Sequence, residues 1–147
     1  MSGDADVLSV PVGGTAHLVG AFDVHACPDR YSYRETPYIT FRPKGGEMEA
    51  VFPIETIYVF APSFPLPESV APEHRDHLSQ YIAARLAEGL FSTPDQPYRF
   101  YMLSREKAKK LPHLPAPARN PQGHCFFTLE ELTRGEKVVS LASEHGM

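Results

Sequence analysis

Aromatic and arginine side chains are interleaved between residues 30 and 42 in a pattern that suits a flat, charged ligand. Tyr31, Tyr33 and Tyr38 offer stacking surfaces, and Arg34 and Arg42 offer planar donors that match phosphate oxygens. Together these groups can hold an unstacked base and a neighbouring phosphate. A site of this kind reads one or two nucleotides, so it does not require a large positive charge on the whole chain. The alternative is that some of these rings cover a small core.

The distribution of charge supports a local rather than an extended nucleic-acid contact. The net charge of −4 argues against a protein that coats a duplex by neutralising phosphates. Residues 30–44 nevertheless contain four Lys or Arg and one acid, and residues 99–119 contain six and one. If these segments meet, the protein has one positive face on an acidic body. Two separate, solvated basic loops are the other interpretation.

The elements around the aromatic segment are predicted to be strands. Residues 38–42 alternate, with Ile39 and Phe41 on one face, which predicts a half-buried strand. A turn follows at Lys44, Gly45 and Gly46, because glycine adopts a positive φ without steric cost. One or two further strands are expected between Met48 and Phe60, at residues 48–52 and 55–60, interrupted at Pro53.

The rest of the chain predicts a mixed fold with one long helix. An apolar run at residues 16–22 is typical of a buried strand. Pro72 suits a first helical position and Gly89 a residue just past a helix end, so a helix is expected from Pro72 to Glu88. Later elements are a strand at 99–103, a short basic helix or turn from Ser104, a capping box at Thr128 and Glu131, and a closing strand at 138–141.

Metal and cofactor chemistry find little support in the sequence. Asp23, His25 and Cys27 would share one face of a strand, but structural zinc sites normally pair two such clusters, and no second cluster follows. The two cysteines are too few for a disulfide framework. No phosphate-binding glycine loop leads into a helix. We therefore expect no metal, no cofactor and no catalytic residue.

Several segments resemble PUA-like domains of the EVE-related branch. The segment Tyr38–Gly46 followed by an apolar strand over residues 51–57 carries the likeness, with the strand at 98–103, the Asn120–His124 segment and the Thr128–Leu132 helix start in agreement. The resemblance implies a small, twisted, partly closed β-barrel with one long helix and one or two short helices. It also implies a cleft that accepts RNA or a modified, flipped-out base. Because the chain has no Trp, Tyr or Phe would form the wall of that cleft.

These observations lead to one main hypothesis and two alternatives. Residues 16–147 are expected to form a single mainly β (α+β) domain, and residues 1–15 a flexible segment or an edge strand. The domain is expected to bind nucleic acid in an aromatic, basic cleft. The predicted contacts are Tyr31, Tyr33, Arg34, Tyr38, Arg42, Lys44, Gly45 and Gly46 on one side, and Arg119, Asn120 and His124 on the other.

The first alternative is a small hydrolase or nuclease that uses His124 with Asp23 or His25 as its other polar group. The second is a protein-interaction subunit with contacts at the Pro-rich loops, residues 61–67 and 111–121. A homo-oligomer or a larger protein partner remains open in either case. The start of the chain lacks the basic residues of a signal peptide, and no apolar run is long enough to span a membrane, so we expect a cytoplasmic protein.

Overall fold

The computed structural model describes residues 7–12, 14–29, 36–42, 46–117 and 125–139. These residues form nine strands and three helices, so the fold is of the mixed α+β class that the sequence predicts. The chain divides into two compact units, each assembled from separate stretches. Unit 1 consists of Met1–Gly13, Glu35–Pro53 and Arg105–Met147, and unit 2 of Gly14–Arg34 and Ile54–Ser104. The expected single domain over residues 16–147 stays a prediction.

Unit 1 is built on a sheet with a buried central strand. Its strands are β1 (Val7–Pro11), β3 (Tyr38–Arg42), the first residues of β4 (Ala50–Phe60), β6 (Lys109–Lys110) and β8 (Cys125–Phe127), in the order β6-β4-β3-β1-β8. The β1 and β3 strands run parallel, and the other neighbours run antiparallel. A separate parallel pair joins β7 (Ala116–Pro117) and β9 (Val138–Val139).

The central position of β3 corrects the prediction of a half-buried strand. Ile39, Thr40, Phe41 and Arg42 are all buried, so both faces of β3 are covered. Alternation in the sequence records side-chain type, whereas burial depends on which strands lie alongside and which elements cover the sheet. Thr40 compensates for its burial because its hydroxyl donates to the Ala50 carbonyl at 2.6 Å.

The predicted capping box fixes a short helix in unit 1. Helix α3 (Leu129–Thr133) has Thr128 as its N-cap residue, and the Thr128 hydroxyl accepts from the Glu131 amide at 3.1 Å. The Glu131 carboxylate accepts in return from the Thr128 amide at 2.9 Å. These two bonds satisfy amides that have no partner inside the helix. The helix thereby places Leu132 in the unit 1 core with Val7, Met48, Val51, Leu111, Cys125 and Phe127.

Unit 2 packs two helices against a three-stranded sheet. Its elements are α1 (Ala16–Phe22), β2 (Val24–Pro28), the second part of β4, α2 (Pro72–Ala87) and β5 (Tyr98–Leu103). The strand order is β2-β5-β4, with both neighbouring pairs antiparallel. The core combines helix and strand side chains from Leu18, Val24, Ala26, Val70, Leu78, Tyr81, Ile82, Phe91, Tyr98, Phe100 and Met102.

The long helix is confirmed within one residue of its predicted end. Pro72 occupies the start of α2, and Gly89 lies just past its C-cap with a φ of 69°. That φ falls in the left-handed region, which only glycine adopts without strain. The helix buries Leu78, Tyr81 and Ile82 against the unit 2 sheet and leaves most of its remaining residues exposed.

The strand predicted at residues 16–22 was wrong, for a reason that follows from local chemistry. Residues 16–22 form helix α1, because a short apolar run fits a buried helix as well as a strand. The amides of Leu18 and Val19 donate to the Thr15 carbonyl, and Asp23 ends the helix with a φ of 58°. Of the one or two strands expected between Met48 and Phe60, the structure has one, β4, with a register shift between Ile54 and Thr56.

Neither unit shows a closed barrel among the residues that the structure describes. The terminal strands of unit 1, β6 and β8, do not pair with each other, and in unit 2 β2 does not pair with β4. Within the same residues, every helix is too short or too polar to cross a membrane.

Candidate ligand-binding site

Most of the predicted contact residues fall outside the part of the chain that the structure describes. They are Tyr31, Tyr33, Arg34, Lys44, Gly45, Arg119, Asn120 and His124. The first three belong to the sequence range of unit 2 and the others to unit 1. The predicted cleft therefore stays a prediction for these positions.

The three predicted contacts that the structure does describe lie in unit 1 and serve its fold. Tyr38 is half-buried and packs on the unit 1 core. Arg42 is 1% exposed, and its Nη2 donates to the Ser9 carbonyl at 3.4 Å. Burial lowers the pKa of Arg42, and the neighbouring Cys125 partly opposes this shift. Gly46 is buried and has a φ of 84°, as expected for the predicted glycine turn.

A small cavity in unit 2 is a better candidate for a ligand site. It has a volume of about 160 Å³ and is lined by Pro28, Asp29, Thr93, Gln96 and Pro97. The two prolines supply rigid apolar walls. A carboxylate, a hydroxyl and a primary amide supply hydrogen-bonding groups of different kinds. Rigid apolar walls with a few convergent polar groups are typical of small-molecule sites.

The cavity forms where a loop folds back on the end of the sheet. Pro28 is the last residue of β2 and lies opposite Tyr98, the first residue of β5. The next residue, Asp29, donates its amide to the Pro97 carbonyl at 3.0 Å. In the loop before β5, the Gln96 amide donates to the Thr93 carbonyl at 2.9 Å. These backbone bonds hold the lining residues in place without any ligand.

The Tyr98 hydroxyl anchors the same loop from inside the core. It accepts from the Thr93 amide and lies 3.4 Å from both that nitrogen and the Ser92 hydroxyl. Burial raises the pKa of Tyr98, but the hydrogen bonds from Ser92 and Thr93 and the charge of Arg85 outweigh it, so the net shift is downward. Arg85 also makes a cation–π contact with Tyr98, because its guanidinium carbon lies 5.7 Å from the Tyr98 ring centroid.

A chain of polar groups orients the carboxylate in the cavity wall. Arg99 Nη1 donates to Asp29 Oδ1 at 3.2 Å, and Arg99 also bonds the Tyr101 hydroxyl. Burial lowers the pKa of Arg99, but these two partners outweigh it and raise the pKa. Burial raises the pKa of Tyr101 to about 12, so this phenol stays protonated at neutral pH. Asp29 is thus held by a permanent cation, and its second oxygen, Oδ2, can accept from a ligand.

The hydroxyl of Thr93 is the most informative group in the cavity wall. Its Oγ1 atom is buried and makes no well-formed hydrogen bond within the described residues, although it lies near enough to the Tyr98 hydroxyl to help lower the pKa of that phenol. An unpaired buried hydroxyl costs about 1–3 kcal/mol, and folded proteins rarely keep one without a reason. A polar ligand group in the cavity would give this oxygen its partner.

His25 and Cys27 of the metal and enzyme hypotheses lie on β2 and Asp23 directly precedes it, whereas His124 lies outside the described residues. His25 is 4% exposed and stacks on Tyr101 with ring centroids 6.2 Å apart, and Cys27 is also buried. Asp23 caps α1 through its backbone. Within the described part of the chain, no three His, Cys, Asp or Glu side chains are close enough to hold a metal ion.

Little in the amino-acid sequence indicates the cavity. The lining depends on the pairing of Pro28 with Tyr98, which brings residues about 70 positions apart together. The available signal was the run of turn-forming residues at 92–97, which indicates a loop but not its partner.

The fold and the cavity together define a mixed α+β protein with a small, pre-formed site in unit 2 that has apolar walls and a few polar groups. Comparisons with protein-family models, with curated proteins and with solved structures find no match to this chain. The residues of the cavity are consequently the basis on which a function can be inferred.

Proposed function

We propose that the chain is a nucleic-acid-binding module that recognises RNA, or a modified or flipped-out base, by accepting one base in the unit 2 cavity. The partly closed PUA-like barrel of the EVE-related branch and the cytoplasmic location are parts of the same proposal. The observation that carries it is the buried Thr93 hydroxyl, which makes no well-formed hydrogen bond within the described residues and lies in a cavity that also contains a fixed carboxylate.

The size of the cavity favours a single ring. An apolar cavity of about 150 Å³ is known to hold one benzene molecule, whereas pockets for drug-sized ligands measure about 300–1,000 Å³. At about 160 Å³, the unit 2 cavity matches the smaller case. A pyrimidine ring fits this scale, and the sugar and phosphate would remain outside.

The polar groups of the wall favour a base with an amino group. An aspartate carboxylate pairs well with the N4 amino group of cytosine, to which it can only be an acceptor. Gln96 can donate and accept, and the Thr93 hydroxyl can do either. These complementary groups predict a preference for cytosine over uracil or thymine.

The position of the cavity along the chain supports a nucleotide ligand. Asp29 directly precedes Arg30, where the aromatic and arginine-rich segment with Tyr31, Tyr33 and Arg34 begins. A base in the cavity would leave its phosphate outside, and arginines are suited to hold a phosphate. The proposal thus keeps the predicted contacts of this segment and adds the cavity as the place where the base binds.

Titration calorimetry with cytidine, uridine and short single-stranded oligonucleotides tests the proposal. We expect cytidine to bind more tightly than uridine by about 5- to 150-fold, which corresponds to about 1–3 kcal/mol for a good base contact. Oligonucleotide affinity should fall as salt rises. If neither nucleosides nor oligonucleotides of any sequence, including modified bases, bind saturably at low salt, the proposal is wrong.

Thr93→Val and Thr93→Ser form a matched pair of variants for the same test. Valine keeps the shape and removes the hydroxyl, whereas serine keeps the hydroxyl. We expect Thr93→Val to weaken cytidine binding by about tenfold and Thr93→Ser to retain it, because this oxygen makes no well-formed hydrogen bond within the described residues and can pair with a ligand. Urea unfolding should show no loss of stability for Thr93→Val. A large loss with unchanged binding would assign Thr93 to the fold alone.

A further inference from the structure

Phe64 is the most exposed large hydrophobic side chain among the described residues. It is 62% exposed and lies in the loop between β4 and α2. Exposed single apolar residues are common, but here the surrounding loop is held in place on both sides of the ring. The Phe64 ring is therefore exposed on a loop whose backbone is held in place, which suits it to contact another molecule.

The loop that carries Phe64 has little freedom. Pro65 follows the ring directly, so the backbone of Phe64 is restricted to extended conformations. The Phe64 amide donates to the Ala61 carbonyl at 3.0 Å, and Leu66 packs on the unit 2 core. An aromatic ring on a rigid support loses little conformational freedom when it stacks.

The same loop is bonded to the wall of the cavity. The Ser63 amide donates to the Pro94 carbonyl at 3.0 Å, and the Ser63 hydroxyl donates to Asp95 Oδ1 at 2.7 Å. Pro94 and Asp95 lie between Thr93 and Gln96, which line the cavity. Phe64 and the cavity wall are each one residue from these bonds, and consecutive Cα atoms are about 3.8 Å apart.

We infer that Phe64 is a stacking platform for the base next to the one held in the cavity, and that the preferred substrate is therefore a single strand. This inference rests on the proposed function. Base stacking on an aromatic ring tolerates any sequence, because every base has a flat π surface. Unit 2 would then read one base by hydrogen bonds and hold its neighbour without reading it.

Binding of a five-nucleotide single strand with a central cytosine, measured by fluorescence anisotropy, tests the inference with three variants. Phe64→Ala should weaken binding by about 5- to 150-fold, the range expected for one stacked base at about 1–3 kcal/mol. Phe64→Tyr keeps a ring and should bind like the wild type. Phe64→Leu keeps an apolar side chain without a ring and should behave like Phe64→Ala. Equal affinities for all four proteins would overturn the inference.

Free cytidine separates this inference from the proposed function, because it has no neighbouring base. Phe64→Ala should bind cytidine as the wild type does. If cytidine binds but Phe64→Ala does not weaken the five-nucleotide strand, only the stacking role is wrong. If cytidine fails to bind while the strand still depends on the Phe64 ring, the cavity assignment is wrong and the stacking role stands.

The competing explanation for the exposed Phe64 ring is a contact with a second copy of the chain. Sedimentation velocity distinguishes this contact from base stacking. If the wild type self-associates, Phe64→Ala is a smaller species and both proteins bind the strand equally, the ring covers a second copy of the chain. That result would overturn the stacking inference.

Discussion

The polar groups buried in the unit 1 sheet differ in their partners from those in the wall of the unit 2 cavity. In unit 1, the buried Arg42 guanidinium bonds the Ser9 carbonyl and the Thr40 hydroxyl bonds the Ala50 carbonyl, so both serve the sheet. In unit 2, Asp29 is fixed by Arg99 at the wall of a cavity, and the Thr93 hydroxyl there makes no well-formed hydrogen bond within the described residues. A polar side chain whose hydrogen bond goes to a backbone group of the same unit stabilises the fold. A polar side chain that is held in place with a hydrogen-bonding position still available can bind a ligand.

Arg42→Ala should cause the largest loss of stability. A small loss would contradict the view that buried polar groups of unit 1 serve the fold. The side chain is almost fully buried, so the substitution removes its packing and leaves the Ser9 carbonyl without this donor. We expect a loss of about 3 kcal/mol or more in the free energy of unfolding, as for other large buried side chains. Urea unfolding followed by circular dichroism measures it.

Nucleotide affinity provides the other half of the Arg42 test. Because Arg42 is buried in unit 1, cytidine affinity measured under conditions where the variant is folded should stay at the wild-type value. A stable Arg42→Ala protein with weakened oligonucleotide binding would instead make Arg42 the phosphate contact that the sequence predicts.

Alkaline pH should destabilise the protein through the tyrosines of unit 2. Burial raises the pKa of Tyr101 to about 12 and also raises that of Tyr81. The folded state therefore keeps protons that the unfolded chain loses above about pH 10. Stability is fully present below pH 10 and falls as pH rises toward 12, by about 1.4 kcal/mol per pH unit for Tyr101 alone.

Tyr101→Phe is the control for that alkaline loss. Between pH 9.5 and 11.5, the free energy of unfolding of the variant should fall less steeply than that of the wild type. Tyr98 acts in the opposite sense because its pKa is lowered, so it cannot account for the loss. Parallel slopes for the two proteins would show that Tyr101 is not the group that titrates.

Short-range sequence patterns predicted where helices begin and end. The burial of β3 and the formation of the cavity depend instead on pairing between strands that are distant in sequence. Pro72 and Gly89 mark both ends of α2, and Thr128 and Glu131 mark the start of α3, because capping depends on residues a few positions apart. The burial of Arg42 depends on β3 lying between β1 and β4, which no local pattern encodes. The cavity likewise depends on the register that sets Pro28 opposite Tyr98.

A hydrogen-bonded trio in unit 2 sharpens the comparison, because its buried member, His74, has a side-chain partner at each ring nitrogen, Tyr58 and Glu55. The Tyr58 hydroxyl accepts from the Ala71 amide at 3.1 Å and lies 2.8 Å from His74 Nδ1. His74 Nε2 lies 3.1 Å from a Glu55 carboxylate oxygen, which can only accept. The Nε2 atom therefore carries the proton, and Nδ1 of a neutral ring accepts from Tyr58.

Tyr58→Phe should cost about 1–2 kcal/mol in stability, because it removes both bonds and leaves the His74 nitrogen and the Ala71 amide without this partner. Thermal unfolding measures the loss. His74→Ala, made in the wild type and in Tyr58→Phe, completes a double-mutant cycle that should show a coupling of about 1 kcal/mol. Additive effects would mean that the two side chains act separately, and weakened nucleotide binding would make this trio a second site.

Thr128→Ala should give the smallest effect and tests whether unit 1 polar groups act through the fold alone. The substitution removes the oxygen that accepts from the Glu131 amide and ends the reciprocal capping of α3. Loss of such a cap costs about 1 kcal/mol, and Thr128→Ser, which keeps the hydroxyl, should cost little. Both variants should bind cytidine like the wild type, since the cap lies in unit 1 and the cavity in unit 2. A cytidine affinity that fell in step with the loss of the cap would show that a purely structural polar group of unit 1 controls binding, which the contrast between the units does not allow.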